Sequence, residues 1–143
     1  MRRRLTWGEA DPAGTVYAPR AVDAAIATVE ALWWEALGMS FRDLHRTRGL
    51  GTPWVHVSCD FIQPLLAGDT FEIALSLTRL GDSSLEYRAD ASDPHARVLF
   101  RLELVSVMID VVTMKSCPIP DDIRAGLQAY LVESPGGGGV KRL

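Results

Sequence analysis

Between residues 22 and 37, apolar side chains fall at Val22, Ala25, Ile26, Val29, Leu32, Trp33, Ala36 and Leu37, the three- and four-residue spacing of one helix face. The spacing predicts a helix over about 19–37. Pro19 suits its first turn, where a missing N–H costs nothing, and Gly38 suits its end. Small residues at Ala21, Ala24, Ala27 and Ala31 run around much of the circumference, so this helix is expected to be enclosed on more than one side, by a wrapping sheet or by a second subunit. Past it the period changes to two. Val55, Val57, Cys59 and Phe61 alternate with His56, Ser58 and Asp60, predicting a half-buried strand over 54–62 that Pro64 stops. Phe71, Ile73, Leu75 and Leu77 form the next strand, and Leu85, Tyr87, Ala89 and Ala91 a further one, with a hairpin connection at 80–84. A turn at 93–95 leads into 97–112, a long apolar stretch predicted to be one strand, central in the sheet. A short opening strand is expected around 4–7, a polar loop containing His45 after the long helix, and a short terminal helix from Asp121. The order predicts one α+β domain over 1–132, a curved antiparallel sheet of five strands wrapped around one long central helix. The glycine-rich tail at 133–143 is expected to be flexible.

Composition narrows the function classes. At 143 residues, with 48% hydrophobic and 23% charged positions, the chain can bury a core of its own. A net charge of -3 argues against nucleic acid as the main partner, and Arg2, Arg3 and Arg4 read as a solvated end. No apolar run reaches membrane-spanning length, and no signal-peptide core follows the arginines, so a cytoplasmic location is expected. Cys59 and Cys117 fit no metal spacing and are expected to be reduced; the three histidines form no zinc motif, and no metal is expected. A Gly-x-Ser-x-Gly elbow is absent from the sequence, which argues against a serine-triad hydrolase.

The chemistry concentrates at 9–20. Asp11-Pro12-Ala13-Gly14 fits a type I turn position by position. It lies just upstream of the helix start, where backbone N–H groups near Ala18 would be unpaired donors at the positive end of the helix dipole. A carboxylate beside such donors suits acyl transfer, one group attacking or activating water while the N–H stabilises the oxyanion. On spacing alone, a plain turn and a catalytic site fit equally well.

The stretch 7–20, Trp-Gly-Glu-Ala-Asp-Pro-Ala-Gly-Thr-Val-Tyr-Ala-Pro-Arg, carries a family likeness. So do Leu37-Gly38, the run Asp60-Phe61-Ile62-Gln63-Pro64-Leu65 with Gly68-Asp69, Arg79-Leu80-Gly81 with Ser83-Ser84, and Pro118-Ile119-Pro120. Over roughly 3–130 the chain resembles the hotdog-fold acyl-CoA thioesterases, specifically the 4-hydroxybenzoyl-CoA thioesterase family. The resemblance implies a hotdog fold and hydrolysis of an acyl-CoA thioester, with an aromatic or medium acyl group. Asp11 would be the nucleophile or general base, and the Ala18 backbone N–H would polarise the carbonyl. Gly14, Tyr17, Pro19, Thr52, Trp54 and His56 are assigned to substrate binding. The resemblance further implies no cofactor beyond the coenzyme A of the substrate. It implies a homo-oligomer, dimer or dimer of dimers, with active sites between subunits. The chain departs from the family in having Ala18 where a second aromatic is common, an uncharged helix middle from 24 to 29, and Asp82 in the hairpin where a base would better suit a phosphate. Two alternatives stay open. One is a hotdog dehydratase or hydratase, against which stands Thr15 rather than His after Gly14; the other is a non-catalytic oligomer that binds an acyl ligand.

Overall fold

A computed structural model describes residues 1–132; the tail read as flexible at 133–143 lies outside the described residues. In chain order the elements are β1 (Arg2–Arg4), a 3-10 turn (Trp7–Glu9), α1 (Ala18–Leu37), α2 (Phe41–Arg48), β2 (Leu50–Gly51), β3 (Trp54–Phe61), β4 (Thr70–Leu80), β5 (Ser84–Ser92), β6 (Val98–Val107), β7 (Ile109–Asp110) and α3 (Asp121–Gln128). Five strands form one antiparallel sheet in the order β1-β4-β5-β6-β3, while β2 and β7 pair separately.

The sheet curves around α1, as its apolar period requires. Ala24, Ala25, Val29, Leu32 and Trp33 of α1 are buried against inward-facing Ile73, Leu75, Leu77, Leu85, Tyr87, Ala89, Leu102 and Leu104. Each fully buried Val, Leu or Ile among them contributes roughly 1.5–3 kcal/mol. At the centre the Trp33 indole N–H donates to the Tyr87 hydroxyl at 3.0 Å, so the polar ends of two large rings satisfy each other inside the core. Burial pushes the Tyr87 phenol far above its ordinary value. At the far end of α1, α3 packs close enough that a Cβ on Gly126 would collide with Leu37 Cδ2, which explains a glycine inside a helix.

The structure corrects several expectations. The opening strand lies at 2–4, because the Thr6 N–H and hydroxyl both donate to the Glu9 carboxylate, at 2.9 and 2.7 Å, and wind the next residues into the 3-10 turn. Arg2–Arg4 are therefore an edge strand, paired with Thr70–Glu72 of β4, and no loose end. His45 sits in α2, a helix the polar composition concealed; Ser40 and Asp43 form its capping box. The stretch 97–112 breaks at Met108, whose N–H donates to Ser83 and whose carbonyl accepts from Cys117. Beyond β7, the Asp110 carboxylate takes the Val112 and Thr113 N–H groups, each at 2.8 Å, and turns the chain. β6 is internal, but β5 holds the middle of the sheet.

Two further observations bear on assembly. On β3 the predicted inward side is only partly covered: Cys59 packs against the core, but Val55 is 60% exposed and Val57 and Phe61 are exposed too, on the outermost strand of the sheet. A register shift between Trp54 and His56 also takes Val55 out of the alternation. On α1 the sheet covers one side, while Asp23, Ala27, Glu30 and Trp34 stay exposed within the chain.

Candidate active site

The loop that carries Asp11 is a two-stranded ribbon closed by a tight turn. The Gly14 N–H donates to the Asp11 carbonyl at 2.9 Å, and the Asp11 N–H to the Thr15 carbonyl at 2.8 Å, with Ala10 and Val16 bridged beyond them. This is a type I turn followed by a left-handed residue, and Gly14, at φ +79°, supplies that conformation without a Cβ penalty. The Asp11 side chain turns back over its own loop. Its Oδ1 accepts the Ala13 N–H at 2.9 Å and the Thr15 N–H at 3.3 Å, and the Thr15 hydroxyl lies 3.2 Å from Oδ2. The carboxylate is thus oriented, with Oδ2 bonded only through the hydroxyl among the described residues.

The loop is fastened to the body at three points: Val16 N–H to Leu65 O at 2.8 Å, Ala67 N–H to Gly14 O at 3.1 Å, and Tyr17 N–H to Glu9 O at 2.9 Å. Glu9 is itself held by the Thr6 N–H and hydroxyl and by Arg3, which together keep its carboxyl below the usual carboxylate range. With Tyr17 fixed in an extended conformation, α1 starts at Ala18. Pro19 has no N–H, and the Arg20 N–H donates to Tyr17 O at 2.7 Å. The Ala18 N–H is the first donor of the helix, and no acceptor among the described residues takes it.

Asp11 and Ala18 open onto one cavity of about 520 Å³. Thr15, Val16 and Tyr17 complete the wall from this loop, and Phe61, Gln63, Pro64 and Leu65 come from the end of β3 and the loop after it. Of the residues predicted from sequence, Asp11, Tyr17 and Ala18 line the cavity. Gly14 shapes the turn and Pro19 occupies the first helical turn, neither on the cavity wall. Thr52, Trp54 and His56 are not brought to it within one chain: Thr52 lies between β2 and β3, Trp54 packs edge-on to Tyr87 at 6.0 Å between ring centroids, and His56 is exposed opposite Val105. Sequence reasoning had not assigned Thr15, Phe61 or Gln63. The signal for Thr15 was present, since a hydroxyl four residues after an Asp at a turn is placed to bond its carboxylate. Among the described residues no group of three or more His, Cys, Asp or Glu is arranged to hold a metal, and no helix is long and apolar enough to cross a membrane.

A five-stranded antiparallel sheet wrapped on one long helix, with a carboxylate and a helix N-terminal N–H opening onto one cavity, is a hotdog arrangement. Residues 5–127 match the family model described as the Thioesterase-like superfamily. A 1,4-dihydroxy-2-naphthoyl-CoA hydrolase of Acaryochloris marina is 25% identical over 130 residues, covering 90% of this chain and 94% of its own length. A thioesterase-superfamily protein of Jannaschia superposes with a TM-score of 0.84 at 27% identity, covering 93% of this chain and 92% of the other. The 1,4-dihydroxy-2-naphthoyl-CoA thioesterase of Synechocystis shares the fold, with a TM-score of 0.83 at 22% identity over 90% of this chain and 93% of its own. The chain belongs to the Thioesterase-like superfamily and is a hotdog-fold thioester hydrolase.

Proposed function

We propose that the enzyme hydrolyses an acyl-CoA thioester to the free acid and coenzyme A, with Asp11 as nucleophile or general base and the Ala18 N–H polarising the thioester carbonyl. The observation that carries this reading is the opening of the Asp11 carboxylate and the unpaired Ala18 N–H onto one cavity. A preorganised donor of this kind is worth roughly 10²–10³ in turnover where one has been removed from other acyl-transfer enzymes. A thiolate leaves readily, so no strong general acid is required, and none of the three histidines lines the cavity. On the Asp11 loop the position after Gly14 is Thr15 rather than His, which favours hydrolysis over the dehydratase alternative.

An aromatic acyl group is the reading we favour over a medium aliphatic one. Tyr17 and Phe61 offer ring faces in the cavity, and the Acaryochloris relative is named for an aromatic thioester. Beyond coenzyme A in the substrate, the reaction needs only water. A cytoplasmic location follows from the same reading, since acyl-CoA thioesters are made and used there. So does a homo-oligomer: the bare β3 edge and the exposed Trp34 face of α1 suit pairing with a second copy, which would bring Thr52, Trp54 and His56 toward a neighbour's cavity.

The test is thiol release from a panel of aromatic and aliphatic acyl-CoAs by wild type and Asp11→Asn. Turnover of an aromatic substrate, with a loss of at least about a hundredfold in the variant, is the expected result. Equal rates in the two proteins would return Asp11 to a turn residue, and an absence of turnover in both would favour the acyl-binding alternative.

A further inference from the structure

The two oxygens of the Asp11 carboxylate have different surroundings. Oδ1 accepts two main-chain N–H groups of its own loop, from Ala13 at 2.9 Å and from Thr15 at 3.3 Å. Oδ2 takes no main-chain donor among the described residues, and its partner there is the Thr15 hydroxyl at 3.2 Å. The same hydroxyl lies 3.3 Å from Oδ1, so it straddles both oxygens. The turn does not depend on it. Gly14 N–H to Asp11 O, Asp11 N–H to Thr15 O and Ala13 N–H to Oδ1 close the loop without a hydroxyl. Thr15 is itself held firmly: its carbonyl accepts the Asp11 N–H at 2.8 Å, it bridges to Leu66, and its branched Cβ restricts χ1. With Asp11 and Ala18 it lines the cavity, where the thioester is proposed to react.

We infer that Thr15 is a positioning residue whose hydroxyl holds Asp11 Oδ2 as the reacting oxygen, and this rests on the role proposed for Asp11 above. A carboxylate pinned at one oxygen by main-chain donors can still pivot about that oxygen. A second tether on the other oxygen stops the pivot. The two N–H groups on Oδ1 also stabilise charge there, which leaves Oδ2 with lone pairs open to a proton or to the acyl carbon. The straddling position serves either role of Asp11. When Oδ2 gains a bond, to a proton drawn from water or to the acyl carbon, it ceases to be a charged acceptor. The hydroxyl then turns its proton to Oδ1 by rotation about its own C–O bond, with no heavy atom moving. Both contacts exceed the about 2.7–2.8 Å usual for O–H···O bonds, as a tether shared between two oxygens should.

The test measures thiol release, from the acyl-CoA that wild type turns over best, by wild type, Thr15→Val and Thr15→Ser, each also combined with Asp11→Asn. Valine keeps the branched Cβ and the main-chain N–H while removing the hydroxyl, and thermal unfolding checks that the fold is kept. In Thr15→Val kcat is expected to fall about tenfold, the scale of one hydrogen bond to a charged group. KM should not change, because the hydroxyl acts on Asp11 and not on bound substrate. Thr15→Ser should recover most of the rate. In the Asp11→Asn background Thr15→Val should cost nothing further, since the carboxylate it positions is gone. A kcat equal to that of wild type, an effect on KM alone, or the same loss with and without the carboxylate would overturn the assignment. Any of these with Asp11→Asn still about a hundredfold down counts against Thr15 and not against Asp11. A second arm needs no turnover: in crystal structures, Oδ2 should keep one position in wild type and swing away or take two in Thr15→Val. If wild type releases no thiol, the acyl-CoA reading fails, and the crystal structures still decide, an Oδ2 that stays in place without the hydroxyl overturning the tether.

Discussion

In the proposed mechanism Asp11 contributes a side chain and Ala18 a main-chain N–H, so the two call for different substitutions. Replacing the Ala18 side chain leaves its N–H in place. Ala18→Pro deletes the donor alone: proline is favoured at the first helical position, and the extended Tyr17 before it, at ψ 121°, already has the conformation a proline demands of its predecessor. Turnover is expected to fall by roughly 10²–10³ with the melting temperature nearly unchanged, measured by thiol release and thermal unfolding. A large loss of stability together with activity would mean that the helix start had moved. At this scale the sequence was readable wherever the chemistry is local. Asp11-Pro12-Ala13-Gly14 specifies its own turn, and Pro19 specifies the first turn of α1. Phe61 and Gln63 were not readable as cavity residues, because only the folded sheet brings the end of β3 over the Asp11 loop.

Elements show the same division. The helix and most strands followed from period alone, since one buried face each was enough to mark them. α2 did not, because seven of its eight residues are unburied and its signal is the Ser40/Asp43 cap rather than an apolar stripe. What holds α2 to the rest is in part an ion pair to α3: Arg48 makes two bonds to the Asp122 carboxylate, at 2.7 and 2.9 Å. The Arg48 guanidinium brings the Asp122 carboxyl from its ordinary 3.8 down to about 2. A depressed folded-state value means stability present at neutral pH and lost as pH falls from about 4 toward 2. The pair is largely solvated, so its contribution is expected to stay below about 1 kcal/mol. Asp122→Asn should therefore be slightly less stable than wild type at pH 7 and indistinguishable from it near pH 2, in thermal unfolding followed across that range. A gap that persists at pH 2 would show that the substitution acts through something other than charge.

The whole molecule has two sheet edges, and they are treated differently. Along β4 the edge is covered at one end by β1 and by the terminal ammonium, which donates to Ile73 O at 2.7 Å, and further on by the Val132 N–H, which donates to Leu77 O at 2.9 Å. Along the eight residues of β3 no strand among the described residues pairs with the outer edge, and exposed Val55, Val57 and Phe61 flank it. If the wild type self-associates through this edge, as proposed, lysines at Val55 and Val57 together should give monomers in sedimentation, with turnover reduced because the site is proposed to lie between chains; self-association unchanged by the lysines would place the contact elsewhere. The alternation on β3 was visible in the sequence, but which side meets a neighbour is a property of the assembled sheet and not of the strand. The bare edge also sets a stopping rule. If two copies join antiparallel through β3, the same strand is used up on each, so the ribbon grows from five strands to ten and ends on both sides in the three-residue β1. Growth by strand addition would then stop at a pair, because a three-residue edge offers a further strand little to pair with, and a single long edge leads to a closed pair rather than a fibre.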